Sequence, residues 1–314
     1  MITRDSSLAF FVNQLDAFDV ALHEPLTSVT WSRDIKLRSG ISLGNQSTSF
    51  VRSAFAGNGS LTAQGKAWLG SGTKGAISGV SVDGTPITLP LNVWGKEVAY
   101  TSVELERSQM IGQNLDDAQT KALITMYNMD VDQMVYIGDT TLGLKGLVNS
   151  TEVTASNVAA GAGGVTWALK TADEILLDIN DAIKAAWAAS AYAVCPNVLL
   201  IPPTQYALIV GKKAGTDGAG GSILKYIEDN SMSLMINGTP LSVRPVKYLS
   251  DAGATSTARM VAYNDSADRV RYPLAPIRRE QPYYQGITFA APYIAGLGAV
   301  EFIYPETAIY RDGI

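Results

Sequence analysis

The stretch from Thr101 to Ser150 constrains the fold most, because it contains a helical pattern long enough to organise other elements around it. It opens with Thr101-x-x-Glu104, a capping box in which each side chain satisfies a backbone N–H of the other residue. From Leu115 apolar residues recur at a 3–4 spacing, which predicts a helix to about Ile137, roughly 35 Å long. We expect its main buried stripe to be Leu115, Ala118, Ala122, Met126 and Met129, beside a second stripe at Tyr127, Val131, Met134 and Val135.

A glycine-punctuated turn follows this helix. Gly138 and Asp139 end the helical pattern, and the chain continues as Gly143-Leu-Lys-Gly-Leu-Val-Asn149. The capping box, a long helix that contains Asp132, and this turn together resemble the spine helix and following turn of tailed-phage major capsid proteins of the Hong Kong 97 type. The resemblance extends from about residue 46 to the end of the sequence. It implies a structural shell subunit that is not an enzyme and has no catalytic, cofactor or metal site.

The resemblance implies an α+β fold with four parts. Residues 1–45 would form an N-terminal arm, and residues 46–100 an extended β-hairpin loop. Residues 101–166 and 264–314 would form a peripheral domain with the spine helix, and residues 167–263 an axial α/β domain. Two interpretations of the arm are open: a segment that lies on a neighbouring subunit, and a solvated loop. The apolar residues of the arm at helical spacing are Phe10, Phe11, Leu15, Phe18 and Leu22.

Residues 46–100 predict a long hairpin that lies away from any core, because much of the segment is Gly, Ala, Ser and Thr. Asp83-Gly84 suits a type I′ turn, which needs positive φ at both positions. Packing on another subunit explains such a hairpin, and the resemblance implies a loop that reaches across to the adjacent subunit of a capsomer. We expect assembly contacts at Lys66, Trp68, Lys74, Asp83, Gly84, Lys212 and Lys213.

Composition favours self-association and disfavours several other classes. Charged residues make up 17% of the chain, and they are depleted at the cores of protein interfaces. The net charge of −5 argues against a dedicated nucleic-acid binder, which would show a basic footprint. One cysteine, Cys195, and one histidine, His23, exclude an intrachain disulfide and a His/Cys zinc site. We expect Cys195 to be a buried structural thiol and His23 an ordinary, partly exposed histidine.

Two alternatives stay open. Within the same fold, the chain could form an encapsulin-like cargo compartment. From a different class, Glu174, Asp178 and Asp181 share one face of a predicted helix, which suits a divalent cation site in a hydrolytic enzyme. We favour a solvated helix start, where the helix dipole stabilises negative charge. Residues 151–166 are predicted to be a flexible connector, and residues 287–304 a buried strand.

The resemblance also implies partners and location. The subunit would assemble with itself into pentamers and hexamers of an icosahedral head, together with portal, scaffolding and decoration proteins. The head would enclose double-stranded DNA without binding a specific sequence. No membrane would take part. It would be assembled in the cytoplasm of a bacterial host and would form part of the virion.

Overall fold

The computed structural model describes residues 26–57, 80–111, 115–213 and 221–314. The helices in these ranges are α1 (Trp31–Asp34), α2 (Ser102–Ile111), α3 (Leu115–Tyr136), α4 (Ala172–Ala189), α5 (Pro203–Gly211), α6 (Ile223–Asn230) and α7 (Met232–Asn237). The strands are β1 (Lys36–Arg38), β2 (Ser47–Gly57), β3 (Val80–Pro90), β4 (Asn92–Thr101), β5 (Thr154–Asn157), β6 (Val198–Ile201), β7 (Ser242–Pro245), β8 (Arg259–Tyr263), β9 (Val270–Arg279), β10 (Tyr283–Gln285), β11 (Thr288–Leu297), β12 (Glu301–Phe302) and β13 (Ile309–Asp312).

Local capping signals set the starts of two helices. At α2 the Thr101 backbone N–H donates to Glu104 Oε2 at 2.9 Å, and the Glu104 N–H donates to Thr101 Oγ1 at 3.2 Å. At α4 the pair Thr171 and Glu174 forms the same reciprocal box. The predicted long helix is also present as α3, which ends one residue before the expected Ile137.

The described chain divides into two compact units. The first comprises residues 26–29, 95–130 and 277–294 within the described ranges. Here β10 pairs with β11 in antiparallel register, with Tyr283 opposite Ala290. The start of α2 is tied to the same hairpin, because the Ser102 N–H donates to the Ile287 carbonyl at 3.0 Å. The buried apolar residues of this unit include Val98, Tyr100, Leu123 and Tyr127.

The second unit comprises the described parts of residues 30–94, 131–276 and 295–314. Its centre is a five-stranded sheet with the order β5-β13-β8-β6-β7. Helix α4 packs its apolar face, Ile175, Ile179 and Ile183, into the same core as strand residues of β6 and β8. A separate pairing places β1 parallel to β9 and β12 antiparallel to β9, so that Arg271 has a partner on each side.

The expectation for the main buried stripe of the long helix is wrong. Met126 is 53% exposed and Met129 is 41% exposed. The buried positions belong to the adjoining stripe, Tyr127, Val131 and Val135. Both stripes have the helical period, so the period alone does not decide which one faces the interior. The neighbouring strands and loops make that choice.

Two expectations about connecting segments also need correction. Residues 151–166 contain β5, which pairs in parallel with β13 at Thr154 and Ile309, so this part is not a flexible connector. Residues 31–38, which belong to the expected arm, form α1 and β1, and β1 pairs with β9 of the same chain. Residues 287–304 do contain a largely buried strand, as predicted. None of the helices in the described ranges combines the length and apolar character needed to span a bilayer.

Candidate assembly surface

Strands β2 and β3 form a two-stranded antiparallel ribbon, which has Ser47 opposite Pro90 at one end. Because side chains alternate along a strand, the ribbon has two faces. The inner face holds the buried Thr48 and the partly buried Phe50 and Arg52. The outer face consists of Ser49, Val51, Ser53, Val82, Gly84, Pro86 and Thr88, all exposed.

The outer face exposes apolar groups that a lone ribbon does not cover. Val51 is 61% exposed and Val82 is 63% exposed. An isolated two-stranded hairpin is marginally stable in water, because it lacks a third strand or a helix on which to bury one face. The outer face is therefore the best candidate in the described chain for contact with another protein.

Two arginines anchor the base of the ribbon. Arg52 donates through Nη2 to the Phe302 carbonyl and to Glu152, each at 2.5 Å. Arg38 donates to the Ser49 carbonyl at 3.1 Å and to Glu301 at 2.6 Å. Motif reasoning missed both arginines. Their partners are distant in sequence, so no local pattern identifies them.

Asp83 and Gly84 do not form the predicted turn. Both lie inside β3, where Gly84 is opposite Ser53 and Asp83 is opposite Ala54. A Cβ on Gly84 would lie 3.0 Å from Val51 Cγ1, so the glycine makes room for a side chain of the other strand. Pairing along the whole ribbon overrides the turn preference of the Asp-Gly dipeptide.

The other predicted assembly residues have different environments. Lys66, Trp68 and Lys74 lie outside the described residues. Lys212 donates from Nζ to three carbonyls of its own chain, those of Trp167, Ala168 and Lys170, at 3.1–3.2 Å. Lys213 is exposed and its backbone forms a bridge with Ser222.

A buried acidic cluster holds α1 against the chain. Asp132, on the long helix, accepts from the Thr30 and Trp31 N–H groups at 2.9 and 3.0 Å and so caps the start of α1. At the other end, the fully buried Asp34 forms a two-bond pair with Arg33 at 2.7 and 2.9 Å. The motif aspartate of the sequence thus fixes a segment about one hundred residues away.

Two tyrosines complete this cluster. Tyr136 donates its hydroxyl to the Asp34 carboxylate, and Tyr263 donates to the Asp34 backbone carbonyl. Burial, followed by the nearby Asp34 charge, raises the pKa of both tyrosines well above the ordinary value. Both therefore stay protonated and serve as permanent donors in this cluster.

The glycines of the turn after the long helix are required by close backbone approach. A Cβ on Gly146 would lie 2.2 Å from the Tyr136 carbonyl oxygen. Gly138 has φ +77°, and a Cβ there would lie 2.3 Å from the Leu144 carbonyl oxygen. Asn149 closes the turn, since it accepts from the Gly146 N–H and donates to the Ile137 carbonyl, each at 2.8 Å.

The three carboxylates of α4 do not form one site. Glu174 caps the helix and accepts from the Ala162 N–H at 2.8 Å. Asp178 is buried and pairs with Lys170 Nζ at 2.5 Å and Trp167 Nε1 at 3.0 Å. Asp181 pairs with Arg311 at 2.8 Å. No cluster of three or more potential metal ligands occurs in the described ranges, and the expectation of a merely solvated helix start is wrong for Asp178.

Cys195 is buried, as predicted, and its burial raises the pKa of the thiol to about 11. The nucleophilic form of cysteine is the thiolate, so this thiol is unsuited to catalysis at neutral pH. His23 lies outside the described residues.

Comparison with known proteins gives a consistent result. The major capsid protein family matches residues 65–314. No curated protein sequence matches the chain. The fold is similar to the capsid of Myoviridae phage XM1, with TM-score 0.78 and 18% identity over 96% of this chain and 98% of that one. It is also similar to a chain of Microbacterium phage Oxtober96, with TM-score 0.63 and 14% identity over 99% of both. A virus-like particle from Pyrococcus furiosus gives TM-score 0.53 and 13% identity over 98% of this chain and 97% of that one.

Proposed function

The chain belongs to the major capsid protein family, and we propose that it forms a closed shell around double-stranded DNA in which the ribbon of each subunit lies on a neighbouring subunit. Membership gives the chain a structural role as a shell subunit and places it in the virion. The resemblance to the Hong Kong 97 type and the α+β fold are confirmed.

The ribbon is the observation that carries the proposed contact. Its base is fixed by Arg38 and Arg52, whereas its outer face exposes Val51 and Val82. Burial of apolar surface is favourable by about 25 cal/mol per Å². A neighbouring subunit supplies the missing surface in a shell of identical chains.

The remaining assignments are part of the same proposal. Residues 46–100 act as the extended loop and residues 101–166 with 264–314 as the peripheral domain, except that β5 and β13 join β6, β7 and β8 of the axial domain (residues 167–263) in one sheet. Portal, scaffolding and decoration proteins are its partners during assembly in the cytoplasm of a bacterial host. The alternative of an encapsulin-like compartment has weaker support, since the virus-like particle has a lower TM-score than the phage XM1 capsid. The hydrolytic alternative has less support still, because its three carboxylates have separate partners.

A pair of single substitutions on one strand tests the ribbon contact. Val82→Asp places a charge on the outer face, and Thr85→Asp places the same charge on the opposite face, at a position that is also exposed. Both are surface changes, so each should alter the free energy of unfolding of the subunit by less than about 0.5 kcal/mol. We expect Val82→Asp to abolish shells in sedimentation and electron microscopy, while Thr85→Asp assembles normally. Shells of normal size from Val82→Asp would contradict the proposal.

A further inference from the structure

The two strands of the ribbon each have a free edge. Among the described residues, β2 and β3 pair only with each other. In an antiparallel pair every second residue exchanges hydrogen bonds with the partner strand, and the residues between them direct their N–H and C=O groups away from that strand. Each strand of the ribbon therefore carries a row of outward backbone groups along its free edge.

Two contacts identify the outward residues of β2. The Leu91 N–H donates to the Gln46 carbonyl at 3.0 Å, so this pair starts the hydrogen-bonded series, which recurs at every second residue. Ser49 belongs to the alternate, outward series, because its carbonyl accepts from Arg38 of β1 at 3.1 Å. The outward residues of β2 are therefore Ser47, Ser49, Val51, Ser53, Phe55 and Gly57.

The edge of β3 is closed to a further strand, whereas that of β2 is open. Pro86 lies opposite Val51 and Pro90 opposite Ser47, so both prolines occupy outward positions, where a missing N–H leaves the ribbon intact. Prolines at such positions remove the donors that an added strand needs, and natural sheets protect their edges in this way. β2 contains no proline. The unprotected edge of the ribbon is therefore that of β2.

No charge guards the β2 edge either. Arg52 is the one charged residue of β2, and its side chain lies on the inner face, bonded to the Phe302 carbonyl. The strand from Val51 to Gly57 is about 20 Å long, because a strand rises about 3.4 Å per residue. This is long enough to pair with a strand of ordinary length.

We propose that the β2 edge of each subunit binds an extended segment of a second copy of the chain by strand addition. The proposal rests on the proposed function and names the backbone contact through which the ribbon binds its neighbour. Main-chain hydrogen bonds provide the affinity in such pairing, and a third strand supplies what an isolated two-stranded hairpin lacks.

A second copy is the occupant that the geometry favours. The β2 edge is continuous with the outer face, because Val51 contributes its side chain to that face and its backbone to the edge. One neighbouring subunit can therefore contact both surfaces. In a shell of identical chains, the same segment is also present once for every open edge.

Amide hydrogen exchange of the parent protein, measured residue by residue in the unassembled subunit and in shells, tests this proposal. The N–H groups of Val51 and Ser53 have no partner strand in the lone subunit, so they should exchange freely there. In shells we expect exchange at least about tenfold slower, because a hydrogen-bonded amide exchanges only when its strand opens. The Arg52 N–H belongs to the hydrogen-bonded series opposite Thr85 and should be protected in both states.

Three variants separate the backbone contact from side-chain contacts. Ser53→Pro removes an outward N–H from β2 and should leave the ribbon paired, as Pro86 does, but we expect no shells in sedimentation. Thr88→Pro makes the same change at an outward position of β3, opposite Ser49, and should assemble normally. Ser53→Ala keeps the Ser53 N–H and should also assemble. The exchange measurement needs no substitution, so it decides the question even where a proline variant does not fold.

The contrary outcomes are distinct from those of the Val82→Asp test. Free exchange of the Val51 and Ser53 N–H groups in shells would overturn strand addition, and so would normal shells from Ser53→Pro. Slow exchange in the unassembled subunit would also overturn it, because a segment of the same chain would then cover the edge. Loss of shells from Thr88→Pro or from Ser53→Ala would contradict a contact made by the β2 backbone alone. If Val82→Asp abolishes shells and Ser53→Pro does not, the face contact stands without the edge contact.

Discussion

Buried charges connect parts of this chain that are far apart in sequence. Glu301 is fully buried between Arg38 and Arg271, each at 2.6 Å. Arg259 forms a two-bond pair with Asp312 at 2.6 and 2.9 Å. Removing one partner of such a pair leaves an uncompensated charge, which costs about 3–5 kcal/mol when both are buried. Single residues of this kind therefore position whole segments.

Asp132 provides a direct test at the residue scale. Asp132→Ala leaves the Thr30 and Trp31 N–H groups without their acceptor, and we expect a loss of about 2–4 kcal/mol in the free energy of unfolding. For a chain of this size that corresponds to a melting temperature lower by about 3–6 °C. Thermal unfolding of the unassembled subunit measures it.

Asp130→Ala is the matched control for this prediction. Asp130 lies two residues earlier on the same helix and pairs with Lys96 at 2.7 Å, but both side chains are partly exposed. Pairs of this kind contribute less than about 1 kcal/mol. If the two variants melt at the same temperature, Asp132 does not hold α1 in place.

At the scale of elements, helix starts depend on charged capping side chains. Hydrogen bonds from the backbone N–H groups of Ala162 and Thr171 lower the pKa of Glu174 below its ordinary value of 4.5. The unfolded chain therefore takes up this proton at a higher pH than the folded chain does. The contribution of the cap to stability is complete above the unfolded pKa and is lost as pH falls through the folded pKa.

Glu174→Gln should flatten the pH dependence of unfolding. The parent melting temperature should fall between pH 5 and pH 3 partly through loss of this cap, since protonated carboxyl groups accept hydrogen bonds less well. The glutamine variant lacks the titrating group, so its melting temperature should be lower than that of the parent at pH 7 and should fall less on acidification. Parallel curves for the two proteins would contradict a role for the Glu174 charge.

At the scale of the whole molecule, the net charge limits how DNA is held. With a net charge of −5, we expect the unassembled subunit to bind duplex DNA weakly at physiological salt and without sequence preference. Retention of DNA then depends on enclosure. A filter-binding titration over a range of salt concentrations measures this, because each neutralised phosphate adds about −0.9 to the log–log salt slope. Submicromolar, salt-sensitive binding would contradict the prediction.

The sequence by itself determined the elements whose signals are local. The capping boxes at Thr101 and Thr171, the long helix from Leu115 and the turn at Gly138 were all predicted and are all present. In each case the deciding contacts lie within a few residues along the chain. Residue type and spacing therefore suffice to identify them.

Tertiary structure alone decided the features that depend on distant partners. It selected the stripe with Tyr127 rather than that with Met126 for burial. It drew Asp83-Gly84 into a strand by pairing with β2, and it gave the α4 carboxylates three separate partners. These outcomes depend on which surfaces meet after the chain folds. A local sequence pattern is compatible with several such tertiary contacts, and the free energy of the whole fold selects one of them.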